Sequence, residues 1–142
     1  MDISARNMLL GKVTALKPGA INAEVQLTLP GNHNIVAVVT NESVDQLGLK
    51  VGVEAFAIIK APLVIIAKGK TDLKFSTRNT LEGTIKQVTS GSVNAEVSME
   101  LAGGVTLNSI ITKQSLESMG LKAGDAVKAL FKASSVILAV RA

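Results

Sequence analysis

The chain has 142 residues, no cysteine, 47% hydrophobic residues and a formal net charge of +4. Without cysteine there is neither a disulfide framework nor a thiolate metal site, and no apolar run approaches the roughly 18 residues of a membrane-spanning helix. The 15 basic and 11 acidic residues interleave, which is a mild bias towards anions rather than a nucleic-acid patch.

The opening residues, MDISARN, lack the basic segment and apolar core of a secretory signal, so a cytoplasmic location is the expectation. The stretches LLGKVTAL and NAEVQLTL alternate apolar with polar residues across the turn-forming KPGA, which predicts two strands of a hairpin. The turn PGNHN holds His33, the sole histidine, and reads as a solvated loop. NIVAVVT then predicts a third strand. The one credible helix is ESVDQLG: Thr40 or Asn41 is its N-cap, Val44 and Leu47 lie three apart, and Gly48 is the left-handed stop. VEAFAIIK and LVIIA, rich in β-branched residues, predict the remaining strands, and the charged KGKTDLKF reads as a short connector.

After a shift of 72 residues the pattern returns. Positions 4–67 align with 76–139 without a gap and with about 24 identities in 64 columns, so the chain is two homologous units, 1–68 and 76–142, joined by 69–75. Five or so strands and one helical turn per unit predict an all-β protein of two tandem, small, OB-like barrels. So apolar a small chain has too little surface for its surplus Val, Ile and Leu, which predicts a homo-oligomer.

Enzyme templates are absent: no Ser-His-Asp set, no phosphate-binding Gly-rich loop followed by Lys, and no Cys/His ligand cluster. Glu24 and Glu96 occupy polar positions of alternating strands and read as solvated or structural. A base-stacking platform is also missing, since the only aromatic residues are Phe56, Phe75 and Phe131. What recurs is a set of hydrogen-bond donors. Ser4 and Arg6 match Ser76 and Arg78, Thr40 and Ser43 match Thr112 and Ser115, and Lys60 matches Lys132. A planar fork, a compact cation and short hydroxyls together suit a tetrahedral dianion whose oxygens only accept. Thr40 and Ser43 also stand where the helix begins, a position that favours anions. Each residue has a plainer alternative: a helix cap for the hydroxyls, an outward-reaching side chain for the lysines, a surface ion pair for the arginines.

Taken together, SARNMLLGKV, GAINAEV, TNESVDQLGLKVG and IIKAPLVIIA, with their second copies, resemble tandem Mop domains of the molbindin family. The resemblance implies OB-like barrels, assembly into a trimer, and binding of molybdate or tungstate at subunit interfaces, without catalysis and without a further cofactor. Carried over by position, Ser4, Arg6, Lys60 and the backbone of Ala61 meet Thr40 and Ser43 of a neighbour. The second copy offers Ser76, Arg78, Lys132, Ala133 and Ser134 with Thr112 and Ser115. A further axial site takes Asn22 and Asn94, whose plainer reading is a buried structural amide. Where the family pattern and the second unit read Lys-Ala-Ser, the first has Lys60-Ala61-Pro62, and proline brings neither hydroxyl nor N–H. Unequal affinities are the consequence. The resemblance thus implies intracellular storage and homeostasis of the oxyanion; the rival reading is an oxyanion-sensing regulatory module that acts on a partner macromolecule. Neither nucleic acid nor membrane is an expected partner.

Overall fold

The computed structural model describes residues 3–69 and 73–142. The first repeat forms β1 (Arg6–Pro18), β2 (Asn22–Leu29), β3 (His33–Thr40), α1 (Asn41–Leu47), β4 (Glu54–Lys60), a 3-10 turn (Ala61–Leu63) and β5 (Ile65–Lys68). The second forms β6 (Asn79–Ser90), β7 (Asn94–Glu100), β8 (Thr106–Thr112), α2 (Lys113–Met119), β9 (Ala126–Phe131), a 3-10 turn (Ala133–Ser135) and β10 (Ile137–Ala139). Thr40 is the N-cap of α1: its hydroxyl oxygen accepts the Ser43 N–H at 3.0 Å. Gly48 ends that helix at φ 64°, a conformation that costs glycine least.

The fold is all-β, in two five-stranded antiparallel sheets, β10-β4-β1-β2-β3 and β5-β9-β6-β7-β8. The order holds a feature invisible in the repeat pattern: each sheet takes its fifth strand from the other half of the chain. β5 pairs with β9, placing Ile66 opposite Ala129, and β10 pairs with β4, placing Leu138 opposite Ala57. β1 alternates strictly between outward and inward residues, and a bulge between Val13 and Ala15 bends it; β6 has the equivalent break between Ile85 and Gln87. Such a bend strengthens the local twist. The edge strands of each sheet come into contact, β10 with β3 and β5 with β8, so each sheet closes into a small barrel.

Because the strands are exchanged, one continuous apolar core runs through both halves, with Val25, Leu27 and Ile59 joined to Val97, Met99 and Phe131. At the far end the two hairpin loops touch. Gly31 lies at φ 83°, and a Cβ there would stand 2.2 Å from the Ala102 carbonyl oxygen. His33 is not a freely solvated loop residue: it opens β3, is half-buried, and its Nε2 lies 2.6 Å from that same carbonyl. The close approach of the loops, set by the exchange, gives the imidazole its partner.

Candidate functional site

The repeated Asn of Ser-x-Arg-Asn continues the inward-facing row of its strand. Asn7 precedes Leu9 and Val13 on the buried face of β1, and Asn79 precedes Leu81 on β6. A polar group there requires partners. Each amide finds them on the opposite half. The Asn79 side-chain N–H donates to the Val36 carbonyl at 2.8 Å and its Oδ1 accepts the Val36 N–H at 2.8 Å. Asn7 does the same to Asn108, at 2.8 and 2.7 Å. Val36 and Asn108 occupy equivalent places on the edge strands β3 and β8, so each amide acts as a peptide-like rung that pins one repeat to the free edge of the other. The sequence carries the signal, a polar residue in phase with buried ones, but not the partner, which lies on the other repeat.

The arginine beside each Asn also crosses the seam. Arg6 Nη2 lies 3.0 Å from Glu96 Oε2, and Arg78 Nη1 lies 2.5 Å from Glu24 Oε2. Glu24 and Glu96 are therefore structural ion-pair partners. The hydrogen bond from Arg78 holds the Glu24 carboxyl below its usual value, with smaller help from the charges of Arg78 and Lys17. A depressed carboxylate value means that the contribution to stability is present above about pH 4.5 and is lost as the pH falls through the folded-state value. Urea midpoints should therefore decline on acidification below 4.5, and less steeply for Glu24→Gln; parallel profiles would exclude this pair as a cause.

Lys60 and Lys132 end the apolar run of each repeat, are exposed, and have no ion-pair partner among the described residues. Each is followed by a 3-10 turn that packs on a strand of the other repeat, Ala61–Leu63 on β8 and Ala133–Ser135 on β3. Those strands end in the capping threonines. The hydroxyls there form a relay: the Ser43 N–H donates to Thr40 Oγ1 at 3.0 Å, and the Thr40 hydroxyl donates to Ser43 Oγ at 2.8 Å. Thr112 and Ser115 repeat it at 3.0 and 2.9 Å. The threonine is thus satisfied within the protein, and the serine hydroxyl, half-buried, has no acceptor for its own proton among the described residues.

The turns and the capping hydroxyls of the two repeats meet crosswise. A cleft of about 380 Å³ is lined by Pro62 and Val64 of the first repeat with Asn94, Ile110, Thr112 and Ser115 of the second. Within one chain, then, the Lys60 turn faces Thr112 and Ser115, and by the same packing the Lys132 turn faces the strand ending at Thr40. Ser4 and Ser76 are exposed beside the arginines and make no hydrogen bond among the described residues. Two expectations need correction. Asn22 and Asn94 are exposed, not buried amides, because they stand at the ends of β2 and β7 opposite Thr40 and Thr112. The Ala61 N–H is also not a free donor: it is given to the Ala5 carbonyl at 3.0 Å.

Residues 3–66 and 76–138 each match the TOBE domain family. The chain belongs to that family, as two tandem TOBE domains. Over 99% of its length it is 42% identical to the molybdenum-pterin-binding protein MopA of Rhodobacter capsulatus and 39% identical to the molybdenum transport protein ModE of Azotobacter vinelandii. It spans about half the length of these two relatives, 53% and 52%. One TOBE domain is 48% identical to nearly the whole of molybdenum-pterin-binding protein 1 of Clostridium pasteurianum, 97% of it. The tandem fold superimposes with a TM-score of 0.95, at 46% identity and over 99% of this chain and 100% of the other, on a crystal structure of the cytoplasmic molybdate-binding protein ModG with molybdate bound.

Proposed function

We propose that this chain binds molybdate, and tungstate by the same chemistry, as a non-enzymatic protein of cytoplasmic oxyanion storage and homeostasis. The observation that carries the reading is the pair of exposed lysines without an ion-pair partner among the described residues, each at a turn packed on the strand that ends in the other repeat's threonine–serine relay. Arg6, opposite Lys60 on the neighbouring strand, and Arg78, with Ser4 and Ser76 beside them, add a guanidinium and a hydroxyl to each donor set. The TOBE tandem shared with a molybdate-bound relative over its whole length supports the same ligand. The outer face of the first sheet also supports assembly: Met8, Leu10 and Ile137 stay exposed and flank Phe56 and Ile58. A second and third copy would cover this apolar surface and give the trimer that the resemblance implies.

Isothermal titration of the full chain with molybdate, sulfate and phosphate tests the reading. Saturable heat with molybdate and a weaker response to sulfate and phosphate is the expected result; absence of heat with molybdate at micromolar protein excludes it. A regulatory role is the second reading, favoured by the 39% identity to ModE. Molybdate-dependent capture of a discrete macromolecule from cell extract separates a sensor from a store.

A further inference from the structure

We propose that the two donor sets are unequal in a definite sense: the Lys132-Ala133-Ser134 turn builds the tight oxyanion site and the Lys60-Ala61-Pro62 turn the weak one. The inference rests on the oxyanion-binding reading above and adds to it the chemistry that ranks the sites. The two turns have nearly the same backbone. Lys60 enters at φ −68° and ψ 131°, Lys132 at −74° and 139°; Val64 leaves at −92° and 118°, Val136 at −90° and 124°. The hydroxyl relays opposite them match within 0.1 Å, at 2.8 and 2.9 Å. The difference therefore lies in the donors that the turns themselves present.

In the first turn those donors are spent or missing. The Ala61 N–H is bound to the Ala5 carbonyl at 3.0 Å and the residue is fully buried, while Pro62 has no N–H and no hydroxyl. In the second turn a single replacement upstream changes the outcome. Thr77 stands where the first repeat has Ala5. Its hydroxyl accepts the Asn79 N–H at 3.3 Å and donates to the Phe131 carbonyl at 2.5 Å, so the strand pairing ends at Phe131. In the first repeat the pairing runs one residue further, to Lys60 opposite Arg6, and Arg6 is held at φ 73°. The Ala133 N–H, freed by that shorter ladder, has no partner among the described residues, and Ala133 is half-buried rather than buried. Ser134 adds its own N–H and a hydroxyl, exposed beside it. A bare dianion gains roughly tenfold or more from each such charge-assisted bond.

The test is calorimetric titration of the full chain with molybdate, with circular dichroism to confirm folding. The parent should show two classes of site in equal number, separated by at least about tenfold in Kd. Ser134→Ala, which leaves the turn intact, should weaken only the tight class, and Ser134→Pro combined with Thr77→Ala, for which Pro62 and Ala5 are the structural precedents, should merge the two at the weak value. Ala5→Thr combined with Pro62→Ser should tighten the weak class. A single class in the parent, or a tight class that survives both Ser134 substitutions, overturns the ranking while leaving oxyanion binding in place. A parent that binds no molybdate overturns the underlying reading and the ranking with it.

Discussion

Asn79→Ala is expected to lower the free energy of unfolding by about 2–5 kcal/mol, because it leaves the Val36 N–H and carbonyl without partners at a place closed to water. The amide is fully buried, both of its bonds measure 2.8 Å, and both cross from one repeat to the other. Urea denaturation at fixed protein concentration measures the loss, seen as a lower midpoint with an unchanged slope. Asn79→Asp should not rescue it. A carboxylate still accepts the Val36 N–H, but it has no donor for the carbonyl and buries a charge. Asn7→Ala should behave alike through Asn108, and the double variant should lose more than either. A midpoint for Asn79→Ala within error of the parent would mean that the seam is held by apolar contact alone.

Arg78→Ala should weaken molybdate binding at its site by roughly tenfold or more, since it removes a guanidinium donor and leaves the Glu24 carboxylate without its ion-pair partner. Glu24→Gln should act in the opposite direction, freeing the Arg78 fork for the anion. Both effects are read by equilibrium dialysis, with the oligomer followed by size-exclusion chromatography. Because the ion pair is exposed, neither change should perturb the fold much. If both substitutions leave the number and affinity of sites unchanged, Arg78 and Glu24 only join the repeats, and the lysines and hydroxyls alone recognise the anion.

The outward-facing apolar rows of the first sheet have no full match in the second. Where β1 and β4 present Leu10 and Phe56, β6 and β9 present Glu82 and Lys128, which lie 3.8 Å apart as an ion pair. The faces have diverged more than the turns and relays, as expected if the two repeats meet different surroundings but similar ligands.

The sequence by itself determined the repeat, the strand class of each segment, a helix start at Thr40 or Asn41 and the donor inventory, because these depend on side-chain period and local chemistry. Alternation with a period of two and a left-handed glycine after seven helical residues are written within a few neighbours. Only the tertiary structure decided which turn faces which relay. β5 and β10 leave their own repeats to complete the other sheet, and no local pattern encodes whether a strand pairs at home or across a seam. From that exchange follow the crosswise clefts, the Asn7 and Asn79 bridges and the Arg–Glu pairs. The spent Ala61 N–H has the same kind of cause: it depends on where two strands stop pairing, which Ala5 and Thr77 decide from a distance in sequence but in contact in space.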